Sequence, residues 1–374
     1  MEYVHRLDAF GDRLRASARP WEVVAFFWVP ALGLAYACWY VLRAHEALQD
    51  FGIFRSASLS VLHGRSPYVA ATPAALANFD KFVYPPIAAL LFAPFAAFPP
   101  EVGRVVIFVA GLAAVIGALR LVRVTDWRCY GIALVSAPAV NALGLGALTP
   151  FLLLGAAFAW RYRDNVVVAA VATAFSAVIK LFLWPLGIWL LATKRWRAAV
   201  LSSVVGAVLL FGGWAVIDFA GMRSYPTLVH VLEQIEGPVS YSLIALLGLT
   251  GGAQTAATVV FLVGGGGAIW LAARGPDGDR RAFAVSVLVS LVATPLLWLH
   301  YLLLLYVPIG FYRPRLSVLW FLPLVLWATP STHSHGVVWQ ILLALGVIAV
   351  VAARTALEGA RLGRAAAIPR PAAS

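Results

Sequence analysis

The chain has 374 residues, of which 62% are hydrophobic and only 12% are charged, and its mean hydropathy is +0.88. A soluble protein of this length would carry roughly twice that charged fraction, so the composition excludes a soluble enzyme and indicates an all-α polytopic membrane protein. Apolar runs long enough to cross about 30 Å of hydrocarbon recur from end to end. They predict one membrane domain over residues 1–374, with ten to twelve transmembrane helices.

The formal net charge is +12, but the basic residues stand in short clusters between the apolar runs. Such clusters are typical of cytoplasmic loops under the positive-inside rule, and they argue against a nucleic-acid partner. The two cysteines, Cys38 and Cys129, form neither a metal-binding spacing nor a disulfide framework.

The N-terminal part of the chain predicts the orientation. Residues 1–20 are polar and basic and are expected in the cytoplasm, and residues 21–42 form an apolar run that is too long for a cleaved signal. The chain then emerges into a first extracytoplasmic loop, residues 43–81. A polar island, residues 50–86, begins in this loop with an amphipathic pattern that favours a helix lying in the membrane interface.

Two apolar runs follow, at residues 83–98 and 102–122. If both cross the membrane, Arg120, Arg123 and Arg128 lie on the extracytoplasmic side, against the charge rule. Two explanations are open: the crossings are miscounted by one, or these arginines meet an anionic ligand.

The middle of the chain contains irregular apolar segments. Residues 129–160 are interrupted at Pro138, Gly144, Gly146 and Pro150, and broken helices at membrane depth occur where the backbone lines a cavity or packs inside protein. Residues 166–193 form either one long helix or a shallow hairpin with Lys180 at its tip.

The second half of the chain alternates between apolar runs and polar or basic loops. A second extracytoplasmic loop is predicted at residues 218–250, a basic cytoplasmic loop at 274–281, and a cytoplasmic tail at 354–374. The hairpin at residues 283–312 has basic residues at both ends, so its centre, which contains His300, is expected on the same side as Asp50.

Asp50 is the first candidate for chemistry. A carboxylate at a membrane surface beside an aromatic side chain can have a raised pKa and act as a general base on a hydroxyl group. The alternative is a solvated aspartate that caps the interfacial helix.

Cations that suit a phosphate group are Arg55, in the first loop, and Lys180, the most isolated charge in the chain. Arginine suits bidentate phosphate binding, and an ionisable residue inside a membrane segment is a functional-site hypothesis by default. The alternatives are contact with bulk anionic lipid for Arg55 and snorkelling to the interface for Lys180.

His300 follows Trp298 in the sequence TPLLWLHYL. An imidazole can donate a hydrogen bond to a phosphate oxygen or position a base, and the aromatic neighbours can stack on a sugar ring. The alternative is a structural histidine that hydrogen-bonds within the bundle.

Several familiar motifs are absent from the sequence. There is no phosphate-binding loop, zinc motif or nucleophile elbow, and the four glycines at 264–267 favour close helix packing. Without a nucleotide-binding domain, a donor substrate must reach the site through the membrane.

Five segments in order resemble the GT-C glycosyltransferases, in particular the family 87 polyprenol-phosphate-mannose-dependent α-mannosyltransferases of bacteria. They are Asp50 with Phe54 and LHGRSPY at 62–68, FVYPPIAALLFAPFAAFP at 82–99, GLGALTPFLLL at 144–154, AVIKLFLWPLGIWLLATKRWRAA at 177–199 and TPLLWLHYLLLL at 294–305. The resemblance implies a GT-C-type bundle in the bacterial inner membrane with its active site on the extracytoplasmic face.

The resemblance also implies an inverting transfer of a hexose, with mannose as the expected sugar. The expected partners are a polyprenyl-phosphate sugar donor, a lipid or glycan acceptor and membrane lipids. Asp50 would be the base, His300 its catalytic partner near the donor phosphate, and Arg55 and Lys180 the phosphate-binding cations. The expected lining residues are Phe54, Tyr68, Tyr84 and Trp298. No cofactor or metal site is expected, although a divalent ion is left open.

Two departures concern the substrates. The aromatic after the aspartate is usually tyrosine and is Phe54 here, and the common Gly-Gln-x-Asn element reads Gly-Ala-Leu-Thr at 146–149. The rival function is a membrane transporter or lipid flippase, which would use intramembrane charge for translocation.

Overall fold

The structure is a computed structural model that describes residues 19–43, 48–77, 81–275, 277–329 and 332–367. Within these ranges the chain forms helices joined by turns and loops, without a β-strand. Nearly all of the predicted N-terminal segment 1–20 lies outside the described residues, as do parts of the first loop and the last residues of the predicted tail.

Five described helices are long and apolar enough to cross a membrane. They are Pro20–Tyr40, Pro100–Leu121, Trp196–Ala215, Gly251–Ala272 and Val338–Leu357. The bent pair Ala137–Leu145 and Thr149–Arg161 would make a sixth span if counted as one. The polytopic helical class is therefore confirmed, whereas the count of ten to twelve crossings stays a prediction.

The first span contains one π-helical turn, Val24–Trp28, between Pro20–Val23 and Val29–Arg43, and the last helix continues to Ala367. Shorter helices complete the bundle. The α-helices are Gln49–Leu62, Pro73–Leu76, Pro86–Ala96, Trp127–Val135, Val166–Val178, Pro185–Ala192, Tyr225–Glu236, Leu243–Leu246, Gly278–Ala293, Tyr306–Tyr312 and Val318–Phe321, and the 3-10 helices are Gly237–Val239, Leu299–Leu305 and Leu322–Ala328.

One end of the bundle is identified by contacts of the loop at residues 122–128. Arg128 donates a hydrogen bond to Glu22, in the first turn of the first span, at 2.9 Å. The backbone N–H of Leu316 donates to Asp126 at 3.2 Å. The loops at 122–128 and 313–317 therefore lie at the end where the first span begins, which we call the basic end.

This placement decides between the two explanations for Arg120, Arg123 and Arg128 in favour of a miscounted crossing. The helix Pro86–Ala96 has 11 residues, about 16 Å at 1.5 Å per residue, which is roughly half of the hydrocarbon thickness. It packs along the helix Gln49–Leu62, where Ser58 donates a hydrogen bond to the carbonyl of Ala89 at 2.6 Å. The helix Pro86–Ala96 is therefore too short to cross the membrane.

A cluster of ion pairs joins three further loops. Asp279 accepts hydrogen bonds from Arg163 at 2.8 Å, from Arg195 at 2.7 Å and from the indole N–H of Trp189 at 2.9 Å. Charges that satisfy one another in this way hold the loops together. The cluster joins the loop that follows Arg161 to the predicted basic loop at 274–281.

Residues 166–193 form two helices instead of one. Val166–Val178 and Pro185–Ala192 are separated by a break that contains Lys180, and Leu181 adopts a positive φ of 49°. The hairpin alternative with Lys180 at its tip is the one that the structure supports.

The topology predicts a labelling pattern for single cysteines in a background with Cys38→Ala and Cys129→Ala. Ser66 lies in the first loop, whereas Thr125 and Arg19 lie at the basic end, and all three are exposed. In intact cells a membrane-impermeant maleimide should label Ser66→Cys but neither Thr125→Cys nor Arg19→Cys, and lysis should make all three reactive. Labelling of both Ser66→Cys and Thr125→Cys in intact cells would contradict the fold's division into two ends, and labelling of Thr125→Cys alone would contradict the predicted orientation.

Candidate active site

The largest concentration of candidate residues lines a cavity of about 600 Å³. The helix Pro100–Leu121 connects the cavity with the basic end. Gly103, near the start of this helix, packs against Phe51 of the helix that carries Asp50, and the last residues of the helix lead into the loop at the basic end. Five separate stretches supply the polar and aromatic residues that make this cavity the candidate site. These residues are Asp50 and Phe54; Lys81 and Tyr84; Lys180; Glu233 and Glu236; and Trp298, His300 and Tyr301.

Asp50 lies in the first turn of the helix Gln49–Leu62, where a carboxylate is favoured by the helix dipole. The N-cap is Leu48, in a left-handed conformation with φ 60°, and its N–H donates to the carbonyl of Gly144 at 3.1 Å. Asp50 is thus not the cap of this helix, and its side chain lines the cavity.

The environment of Asp50 suits a general base. Burial raises the pKa of its carboxyl group above the usual 3.8, the opposite charge of Lys180 lowers it, and Glu236 raises it again, to a net value of about 6. A carboxylate with this pKa is ionised at neutral pH and binds a proton more readily than a solvated aspartate does.

Lys180 lies in the break between Val166–Val178 and Pro185–Ala192. Its ammonium nitrogen is 3.9 Å from the ring centroid of Tyr301 and 5.4 Å from that of Tyr84. This nitrogen is buried and has no hydrogen-bond partner among the described residues. Two aromatic faces therefore hold a cation whose hydrogen-bond donors are unused.

His300 is buried near the start of the 3-10 helix Leu299–Leu305. Its Nδ1 lies 3.3 Å from the side-chain oxygen of Asn141, and the amide nitrogen of Asn141 donates to Thr332 at 3.3 Å. The other ring nitrogen, Nε2, has no partner in the described part of the chain. Asn141 thus orients the ring and leaves one nitrogen for another group in the cavity.

Three of the four predicted lining residues, Phe54, Tyr84 and Trp298, line the cavity. Tyr68 lies behind it, where its hydroxyl group donates to the carbonyl of Tyr84 at 2.7 Å. Arg55 is not a lining residue, because a helix turns about 100° per residue and places it roughly 140° from Asp50, whereas Phe54 is only about 40° away.

The sequence analysis missed several residues that belong to the site. Glu233 and Glu236 line the cavity from the helix Tyr225–Glu236, and Tyr301 contacts Lys180. Tyr301 is adjacent to His300 in the resembling segment, which was a usable signal. Asn141 lies within the broken stretch at 129–160, but its contact with a residue 159 positions away has no local signature.

The other charges in the cavity are partly satisfied. Lys81 forms an ion pair with Glu236 and also donates to the carbonyl of Leu76, so it ties the first loop to the helix Tyr225–Glu236. Burial raises the pKa of Glu233. Lys180 is consequently the cavity cation that keeps its hydrogen-bond donors available.

A model of glycosyltransferase family 87 matches residues 82–299, more than half of the chain. The chain belongs to glycosyltransferase family 87. It is therefore a glycosyltransferase, and its composition and apolar helices indicate that it lies in a membrane. No curated protein and no solved structure gives a significant match.

The family 87 match includes Tyr84, Lys180 and Trp298, whereas Asp50 precedes it and His300 follows it directly. The described residues contain no group of three or more His, Cys, Asp or Glu side chains that could hold a metal ion.

Gly146 provides a test of how the site is built. It has a positive φ of 65°, and a Cβ added there would lie 3.0 Å from the Cβ of Phe51. Gly146→Ala should therefore lower the free energy of unfolding by about 1–2 kcal/mol, the cost of a left-handed L-residue, and disturb the helix that carries Asp50. Thermal unfolding of the purified protein measures this change.

Gly144→Ala is the matched control, because a Cβ there meets nothing within 4 Å and the residue lies in a helix. It should leave the unfolding temperature unchanged or raise it. Equal unfolding temperatures for the two variants would contradict the close packing of residues 144–148 under the Asp50 helix.

Proposed function

We propose that this chain transfers a hexose from a polyprenyl-phosphate sugar to a hydroxyl group of a lipid or glycan acceptor, with inversion at the anomeric carbon. The observation that carries the proposal is the convergence of Asp50, Lys180 and His300, from three distant segments, on one cavity. Mannose is the first sugar to test, and it follows only from the resemblance to polyprenol-phosphate-mannose enzymes. The proposed location is the extracytoplasmic face of a bacterial inner membrane.

The proposed reaction divides the charges of the cavity between two tasks. Asp50 takes the proton from the acceptor hydroxyl as the acceptor oxygen forms its bond to the anomeric carbon. The bond from that carbon to the phosphate oxygen breaks on the opposite face, and its electron pair leaves with the phosphate.

Lys180 is placed to stabilise the departing phosphate. Its ammonium group is buried and its hydrogen-bond donors are unused, so an anionic oxygen would satisfy a charge that is costly to bury alone. His300 can use its unpartnered Nε2 to contact a substrate oxygen. Phosphate is already a good leaving group, so the reaction requires a base and a cation more than a covalent nucleophile.

The direct test is sugar transfer from radiolabelled polyprenyl-phosphate mannose to lipid acceptors in membranes. Asp50→Asn should lower transfer by roughly 10²–10⁴-fold, the usual contribution of a general base, and His300→Ala should lower it less. Asp218→Asn is the matched control, because Asp218 is exposed and does not line the cavity.

Full transfer by folded Asp50→Asn would remove Asp50 as the base. If the wild type transferred no sugar from any polyprenyl-phosphate donor but moved a solute across vesicles, transport would replace transfer as the function.

The charges around Asp50 also predict how activity depends on pH. Because the base must be ionised, kcat/KM should fall as the pH decreases through about 6. Lys180 lowers the pKa of Asp50 and Glu236 raises it, so Lys180→Gln should move the acidic limb to higher pH and Glu236→Gln to lower pH. The position of the limb, normalised to each variant's maximum, is the measurement, and shifts in the same direction for both variants would contradict the assignment.

A further inference from the structure

A second cavity, of about 740 Å³, lies between the helices Gly251–Ala272, Gly278–Ala293 and Val338–Ala367. It shares no lining residue with the candidate active site. Its lining is apolar except for Arg281 and Thr355, and the hydroxyl group of Thr355 is already bonded to the carbonyl of Val351. We call this cavity the apolar groove.

The glycines at 264–267 shape the apolar groove. A Cβ on Gly265 would collide with Val289, so the two helices touch there, as the sequence predicted for this run. Gly264, one residue earlier, also lines the groove, and a Cβ there would meet nothing within 4 Å. The two helices therefore touch at Gly265 and leave open space beside Gly264.

Arg281 lies in the first turn of the helix Gly278–Ala293, which begins within the basic loop predicted at 274–281. Its guanidinium donates to the carbonyl of Arg274, and its Nε is buried without a partner among the described residues. Of the nearby acids, Asp279 pairs with Arg163 and Arg195, whereas Asp277 pairs with Arg280 and also interacts electrostatically with Arg281. Arg281 therefore retains hydrogen-bonding capacity beside an apolar surface.

We propose that the apolar groove binds an anionic glycerophospholipid, with an acyl chain in the groove and the phosphate at Arg281. Charge complementarity carries this assignment: a cation with an unpartnered Nε lies at one end of a lining that otherwise suits hydrocarbon. Basic pockets between transmembrane helices recognise anionic head groups in this way. The proposal is independent of the function assigned to the other cavity.

The test compares phosphatidylglycerol with phosphatidylcholine of identical acyl chains by native mass spectrometry of the purified full-length protein. The wild type should retain phosphatidylglycerol preferentially. Arg281→Gln should weaken that preference roughly tenfold, the effect expected for one charge-assisted hydrogen bond. Arg280→Gln is the matched control, because Arg280 pairs with Asp277, lies 5.8 Å from the ring centroid of Tyr312 and does not line the groove.

A second pair of variants tests the acyl chain. Gly264→Leu should fill the groove and reduce retention of both lipids, whereas Gly267→Leu, on the same helix but outside the lining, should not. Equal retention of the two lipids by the wild type, or equal effects of Arg281→Gln and Arg280→Gln, would overturn the proposal. A dimer lost only in Gly264→Leu would overturn it too, because it would assign the groove to a second copy of the chain.

Discussion

The candidate site is organised around two opposite charges, Asp50 and Lys180, that line one cavity. A single buried charge inside a membrane protein costs several kcal/mol, and opposite charges reduce that cost for each other. The positive charge of Lys180 lowers the pKa of Asp50, although burial keeps that pKa above its usual value, and the ammonium nitrogen of Lys180 makes no hydrogen bond with the described residues. The attraction thus offsets part of the cost of burial and leaves the ammonium donors unused.

The two ends of the bundle use charge in different ways. At the basic end, Arg128 bonds Glu22 and Asp126, and it thereby joins segments that are distant in sequence. In a separate cluster, Arg163 and Arg195 bond Asp279. In both clusters the arginines and the carboxylates bond to one another, and these bonds join separate loops. Among the described residues of the cavity, Lys81 and Glu236 are the only such pair, and Lys180 keeps its hydrogen-bond donors unused.

The sequence predicted the helical membrane class, which is confirmed, and named Asp50, Lys180 and His300 as site candidates from two kinds of signal: long apolar runs, and charges that interrupt them. The roles of these three residues stay predictions. The sequence did not predict which residues face the cavity where that depends on rotation about a helix, nor which residues meet through distant contacts. Arg55 and Phe54 are adjacent in sequence, but only Phe54 shares the face of Asp50. Asn141 and His300 meet only through tertiary packing, which periodicity does not encode.

Interruptions of the apolar runs were a better guide to the cavity than charge alone. The break at 144–148 contributes Leu145, the break after Val178 contributes Lys180 and Leu181, and the break after Ala293 contributes Thr294 and Pro295, and all five line the cavity. Irregular backbone within a membrane needs protein or a polar cavity to satisfy its hydrogen bonds. The glycines at 264–267 leave their helix unbroken, and of the four only Gly264 and Gly265 line the apolar groove, so it is the loss of regular backbone, and not glycine content, that marks the candidate site.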